Sequence, residues 1–448
     1  MGSLGSEVSV VTPKLVQELP LHYVKLATDA KRMIETLEES CTWGSTSDGG
    51  MNRLTLNDDD LQVRQWFIQE TKKYGCDIKI DQMGNIFAIR PGQNNDIPPI
   101  GIGSHLDTQP TGGKYDGILG VTCGIEVLKT IHDSNVTTYA PLAVINWTNE
   151  EGARFPPAML ASGVWGGAFT TEYGHSRPDL NDPSTTLGRE LQRIGFLGDV
   201  PCSYEANPLS AHFEVHIEQG PILDAAESAV GIVKGIQSIR WCHVDVVGRE
   251  AHTGTTPMDR RSDTLLGAAK MIVVANDLVT KGPLAARGAR ATISVINSLP
   301  QSINTISGKV RMGLDMRAPL DADVEALEAL CRAEFAAICD EHGLTLAFDR
   351  FWNSPALHFE PTMVQCVRES ARGVGCAMEL VSGAGHDSAY TSRKVPTAMI
   401  FTRCRDGVSH NPAEYTRPED CTTSAQVLLG AYLRYDDCLR RTNEAGKP

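Results

Sequence analysis

The residues that could do chemistry share a position in the chain pattern. His105 closes the apolar run IGIGS, and Asp116 follows it in a glycine-rich loop. Glu150 and Glu151 end the run LAVINWTNEE, His216 lies towards the end of AHFEVHIEQG, and His410 stands in DGVSHNPAE after TAMIFTR. Each falls at the end of an apolar, strand-like segment or in the loop after it, and none on a predicted helix. In open α/β sheets, ligands gather beyond the carboxyl ends of the strands. Imidazole and carboxylate are donors that zinc and its neighbours accept, and one such cation needs only three protein ligands and a water. Taken together, the set points to a metal-assisted reaction.

Taken singly, each residue has a plain structural reading. A lone histidine is more often a hydrogen-bonded structural residue than a ligand. Glu150-Glu151 could be an acid pair at a helix N-terminus, favoured by the helix dipole. Glu218, beyond His216, could be a solvated carboxylate. Other chemistries fail at the residues that matter. The stretch GSHLDTQPTGGKYDGILG (103–120) invites a phosphate loop, but Gly113-Lys114 is followed by Tyr115 where a Walker A loop needs Ser or Thr. GIGSHL lacks the third glycine of a dinucleotide fingerprint. No H-E-x-x-H is present, and no P-C-x-x-C accompanies an H-x-E as a zinc deaminase requires.

The elements that must position these residues are bounded by composition. A chain of 448 residues exceeds one ordinary core and implies two domains or three. Its 41% hydrophobic and 21% charged content is globular, and a net charge of −14 argues against nucleic acid as a partner. No apolar run reaches the roughly eighteen residues of a membrane helix. MGSLGSEVSVV lacks the basic and apolar regions of a secretory signal and reads as flexible. Twelve cysteines without a C-x-x-C pair fit the reduced thiols of a cytoplasmic protein.

Helices are predicted over 23–39 and 58–73, short strands at DIKI and NIFAIR, then strand PIGIGSHLDT, a helix from Leu119 to Asp133 with one apolar face, and strand LAVINWTNEE. Strand, loop, helix, strand is the βαβ rhythm of an open α/β sheet. Near residue 232 the pattern becomes β-α-β-β-α-β, a ferredoxin-like unit. After about 358 the first rhythm returns with helix PTMVQCVRESARG, strand TAMIFT and a last helix over TTSAQVLLGAYLRYDDCL. The expected organisation is a flexible 1–20, a mixed-sheet α/β catalytic domain made of 21–231 and 358–448, and an inserted ferredoxin-like α+β sandwich at 232–357.

The chain resembles the M20-type dinuclear metallohydrolases, in the branch of N-carbamoyl-L-amino acid hydrolases, β-ureidopropionases (β-alanine synthases) and allantoate amidohydrolases. The resemblance runs from about residue 25 to 440. It rests on GSHLDTQPTGGKYDGILGV, NEEGARFPP, HFEVHIEQGPILD, GREAHTGTTPM, SGAGHDS and DGVSHNPAEY. GKYDGILGV and SGAGHDS are most similar to eukaryotic β-alanine synthases. The resemblance implies two divalent cations per subunit, zinc first, with manganese, cobalt or nickel as alternatives. His105 and His216 would bind one, Glu151 and His410 the other, and Asp116 both. Glu150 would be the general base. His252 would reach the active site of a partner subunit, Asn304 and Arg317 would hold the substrate carboxylate, and Gln219 and His386 would line the site. The inserted domain would act as lid and dimerisation domain. The implied reaction is hydrolysis of a carboxylate-bearing ureido acid, N-carbamoyl-β-alanine first and otherwise an N-carbamoyl-L-amino acid. Allantoate, an acyl-amino acid or another amide, and a metal-free scaffold protein stay open as alternatives. Asn304-Thr305-Ile306-Ser307-Gly308 and Ala161-Ser162 depart from the family pattern, and neither touches an implied ligand.

Overall fold

Strand character follows the apolar pattern. In the computed structural model, which describes residues 16, 18–375 and 377–445, β1 (Asp77–Ile80) and β2 (Ile86–Arg90) turn about Met83-Gly84. The expected flexible segment lies mostly outside the described residues. β3 (Ile100–His105), β4 (Leu142–Trp147) and β5 (Ala211–Ile217) are buried along their whole length, as strands covered on both faces are, and β5 takes His212, Glu214 and His216 in with it. β6 (Val230–Ile236) follows. Next come β7 (Ser238–Val247), β8 (Ala251–His252), β9 (Arg290–Leu299), β10 (Thr305–Ile306), β11 (Lys309–Ala318) and β12 (Thr345–Ser354). β13 (Leu357–His358), β14 (Ala377–Ser382) and β15 (Thr397–Thr402) complete the set.

The chain divides into two compact units, one of Met1–Lys234 with Phe359–Pro448 and one of Gly235–His358. The first is built on a mixed sheet in the order β1-β2-β4-β3-β5-β15-β6. β3 is parallel to β4 and β5, and β5 to β15, while β1/β2, β2/β4 and β15/β6 are antiparallel. Parallel neighbours point their carboxyl ends the same way, so β3, β4, β5 and β15 deliver their following loops to one edge. The helix Ile118–Asp133 packs on β3, β4 and β5. It is buried nearly all round, not on one face, because the helices Ala30–Ser40 and Pro418–Ala445 cover its outer side.

The single helix expected over 23–39 is two. Leu21–Val24 is followed by a break, and Asp29 accepts the Arg32 N–H at 3.0 Å to cap a new helix at Ala30.

The second unit is a four-stranded antiparallel sheet in the order β12-β7-β11-β9, with helices Thr264–Thr280 and Asp321–His342 packed on it. Its chain order is β-α-β-β-α-β. Alternation along β7 and β11 sends Cys242, Val244, Val246, Val310, Met312, Leu314 and Met316 into one core with Met271 and Phe335 of the helices. The opposite face carries Trp241, His243, Arg311, Asp315 and Arg317. Among the described residues no helix is long and apolar enough to cross a membrane, and the cysteines are free and buried.

Candidate metal centre

His105 is the last residue of β3, and His216 lies in β5, so the two rings emerge side by side with centroids 5.8 Å apart. Each ring is fixed through Nδ1. That of His105 meets the Asp107 carbonyl at 2.9 Å and that of His216 the Ile217 carbonyl at 2.9 Å. A ring that donates from Nδ1 would offer its Nε2 lone pair to a cation once any proton there is released. Both Nε2 atoms face Asp116 Oδ1, at 3.7 Å for His105 and 3.0 Å for His216. The other oxygen of Asp116 faces His410, whose Nε2 lies 3.2 Å from Oδ2 and 3.5 Å from Glu151 Oε2. One carboxylate thus stands between two donor sets, His105 with His216 and Glu151 with His410. The ligand atoms of each set lie within 4.8 Å of one another.

Local backbone makes this possible. Gly117 has φ +66°, and a Cβ there would lie 2.3 Å from the His105 ring, so only glycine lets the loop close over that histidine. Asn149, Gln219 and His410 hold positive φ (61°, 56° and 53°) without being glycine. Such conformations are strained, and they collect at sites whose surroundings over-determine them.

The remaining expected residues of the first unit join the cluster. Glu150 Oε2 is 3.5 Å from His105 Nε2. Gln219 Nε2 donates to Asp116 Oδ2 at 2.8 Å and lies 3.3 Å from His410 Nε2. His386 lies against His216, the rings tilted by 57° with centroids 4.3 Å apart. His252, Asn304 and Arg317 belong to the second unit. His252 and Asn304 are exposed neighbours on the β8/β10 ribbon, where the Thr253 N–H donates to the Asn304 carbonyl. Arg317 pairs with Asp315 through Nε and Nη2, and Trp241 Nε1 donates to the same carboxylate at 2.9 Å.

Burial and crowding set the charge states. For Asp116, burial favours the neutral form, but hydrogen bonds from His216 and His410 outweigh it and hold the carboxyl well below its ordinary value. His216, also opposed by burial, is pushed up to about 9 by the Asp116 carboxylate. Glu150 is raised well above the ordinary range by burial, then by the charges of Asp387, Glu151 and Asp116. Glu151 is raised for the same reasons, burial first and Asp116 next. Burial and the neighbouring His216 cation hold His386 neutral, well below the ordinary imidazole value.

The donors fit a pair of divalent cations. His105 Nε2, which faces Asp116 and Glu150, and Glu151 Oε1 are buried without a hydrogen-bond partner. Buried polar atoms left unpaired cost free energy, and a cation at each donor set would satisfy them.

Sequence reasoning assigned no role to several supports. The buried Asp107 carboxylate receives the Thr55 hydroxyl at 2.8 Å and the Glu150 and Glu151 N–H groups at 3.3 Å each, so it sets the acid pair in place. Its spacing two residues after His105 was the available signal. Gln109 Nε2 donates to Glu151 Oε2 at 2.8 Å. Ser409 and Glu414 stand behind Asp116, and Asp387 lies buried near Glu150.

Similarity to known proteins falls on this same architecture. The profile of peptidase family M20/M25/M40 matches residues 101–434. An N-carbamoyl-L-amino-acid amidohydrolase of Rhizobium meliloti is 41% identical over 406 residues, covering 90% of this chain and 96% of that protein. An allantoate amidohydrolase of Bacillus subtilis is 31% identical over 398 residues, 88% of this chain and 94% of that one. The solved structure of an amidase of the hydantoinase/carbamoylase family from Burkholderia multivorans superposes with a TM-score of 0.86 at 43% identity, over 92% of this chain and 99% of that one.

Proposed function

The chain belongs to peptidase family M20/M25/M40 and is a hydrolase of C–N bonds, and on that premise we propose that it cleaves the carbamoyl group from N-carbamoyl-L-amino acids. The products are the amino acid, carbon dioxide and ammonia. The observation that carries the reading is the Asp116 carboxylate, with a histidine pair at one oxygen and the His410–Glu151 set at the other. It stands in a chain similar along nine-tenths of its length to an N-carbamoyl-L-amino-acid amidohydrolase.

In this reading His105, Asp116 and His216 hold one divalent cation, and Asp116, Glu151 and His410 a second. Zinc suits the donors, and manganese, cobalt and nickel accept the same set. When bound, the pair supplies Lewis acidity that polarises a carbonyl and acidifies water. A ureido carbon needs that help, because two nitrogens donate into it. Glu150 takes the proton of the attacking water and passes it to the leaving nitrogen. The buried Glu150 carboxylate would be kept ionised against its neighbouring carboxylates by cations at the two donor sets, ready to take that proton. His252, exposed on its ribbon, acts in a neighbouring copy as a donor where negative charge develops. Asn304 and Arg317 hold the substrate carboxylate, which joins or replaces Asp315 at the guanidinium. Gln219 and His386 line the cluster.

A homodimer through the inserted unit follows from the role of His252. It is supported by exposed apolar side chains on the helix Thr264–Thr280 (Leu265, Leu266, Ile272, Val273) and on the edge strand β9 (Val295, Ile296, Leu299). The reduced, buried cysteines are in keeping with the cytoplasm.

Allantoate is the second reading, favoured by the similarity to an allantoate amidohydrolase. The test is ammonia release from N-carbamoyl-L-amino acids, N-carbamoyl-β-alanine, allantoate and N-acetyl amino acids, each with metal-loaded and chelated protein. Metal-dependent release from N-carbamoyl-L-amino acids is the expected result. Release from allantoate alone would move the assignment to the second reading. No release from any ureido acid with metal bound would end both.

A further inference from the structure

The glycine-rich loop that raised the question of a phosphate cradle does hold an anion, and the anion is part of the chain. Glu414 is buried, four positions after His410. Its Oε1 accepts the backbone N–H of Tyr115 at 3.0 Å and of Asp116 at 3.1 Å. Its Oε2 accepts the Ser409 hydroxyl at 2.9 Å, and the same hydroxyl lies 3.1 Å from Asp116 Oδ2. The loop is shaped to admit this side chain. A Cβ at Gly113 would fall 2.2 Å from Glu414 Oε1, a distance no side chain survives. One buried carboxylate therefore ties the main chain of Asp116 to the residue next to His410, across almost three hundred positions of the chain.

We propose that Glu414 is the positioning residue of the paired-cation site, holding Asp116 and the His410 loop in one register before any cation arrives. This rests on the metal reading above. The physical case is that Asp116 must offer its two oxygens in two fixed directions. Its side chain receives Gln219 and Ser409, but the direction of its Cα–Cβ bond is set by the main chain, and Glu414 fixes that main chain. A carboxylate receiving backbone N–H groups is a strong, directional anchor. Partners one step removed from the ligands tune a metal site by orienting them. Glu414 is the far element of that arrangement, and Gly113 is the space it needs.

The experiment is zinc binding to chelator-stripped protein, by competition with a zinc-sensing dye, alongside thermal unfolding of the same metal-free samples. Glu414→Ala should weaken zinc binding by about tenfold to a hundredfold. Glu414→Gln retains an acceptor for the two N–H groups and should restore binding to within about threefold of the parent, under half a power of ten in affinity. Gly113→Ala should reproduce the Glu414→Ala defect. The double variant should be no worse than Gly113→Ala alone, because that change already breaks the tie and its methyl meets the Cβ at 414, 2.3 Å away, which Glu414→Ala keeps. A purely structural role would lower the unfolding temperature and leave zinc affinity unchanged, and that result overturns the inference. So does a double variant whose loss is the product of the two single losses. Should Glu414→Ala not fold, Glu414→Asp, which withdraws the acceptor by one methylene, takes its place beside Glu414→Gln. Weaker binding in Asp than in Gln supports the assignment, and equal binding overturns it. If the unaltered protein itself binds no zinc, the metal reading fails; if it binds two ions and the variants do too, only the role of Glu414 fails.

Discussion

At the scale of single residues, Glu150 and Glu151 are adjacent in sequence, yet they stand in different company. Glu151 Oε2 faces His410 and takes the Gln109 amide, whereas Glu150 Oε2 faces the unpaired Nε2 of His105. A group that moves a proton can be replaced isosterically without emptying the donor sets. Glu150→Gln should therefore keep the zinc stoichiometry of the parent while kcat falls by about 10²- to 10⁴-fold, the usual worth of a general base. Metal analysis and steady-state kinetics on one sample check this, and a near-parental kcat would remove Glu150 from the role. His212 bears on stability instead. It is fully buried on β5 between the Trp147 indole N–H at 3.3 Å and the Thr391 hydroxyl at 3.2 Å, and burial drops it to about 3. In the unfolded chain it titrates near the ordinary imidazole value. Between those two values the unfolded state binds the extra proton, so stability is lost as pH falls through that window. The loss should reach about 2 kcal/mol by pH 5. Urea unfolding of chelated protein at pH 7 and pH 5 should give a steeper dependence in the parent than in His212→Gln, and equal slopes would refute the assignment.

At the scale of elements, the helix Thr264–Thr280 has two apolar sides but only one core. Gly267, Ala268, Met271 and Ala275 face the sheet, while Val273, 60% exposed, and Leu265, Leu266 and Ile272 face away. If that outer side meets a second copy, Val273→Glu buries an uncompensated charge on association. Sedimentation should then show dimer affinity reduced at least about tenfold, or 1.4 kcal/mol. An unchanged dimer would place the interface elsewhere. The same elements explain what the sequence disclosed. β3, β4 and β15 were legible because strands covered on both faces are continuous apolar runs, and the candidate ligands were legible because each lies at the end of a strand-like segment or in the loop after one. β6 was not, since VGIVKGI carries two glycines and a lysine. Neither was β14, where AMELVS is largely half-exposed and places Glu379 beside Arg368. The break before Ala30 hinges on one aspartate acting as a cap, a local choice that helical spacing alone does not reveal. Glu414 was invisible for a different reason, because its partners Tyr115 and Asp116 lie almost three hundred positions earlier and no spacing rule connects them.

At the scale of the whole molecule, the chain carries two units with separate cores, and the donor sets lie wholly in one of them. A ligand that binds only the folded form stabilises the structure containing its site by an amount set by its concentration relative to its dissociation constant. At a hundredfold excess over that constant this is about 2.7 kcal/mol. A cation at the two donor sets would stabilise the unit of Met1–Lys234 and Phe359–Pro448, because every candidate ligand atom is on β3, β5 or the loops that follow strands of that unit. The core of Gly235–His358, built from β7, β11 and two helices, contributes no donor to either set. Hydrogen exchange should therefore divide along the boundary. Stripping the metal should speed exchange in 103–120, 148–152 and 402–416 and leave the amides of β7, β11 and the helix Asp321–His342 at their loaded rates. An equal acceleration in both units would mean that they open as a single cooperative body, with the cations stabilising the whole chain. Acceleration confined to the inserted unit would place the cations outside the cluster around Asp116.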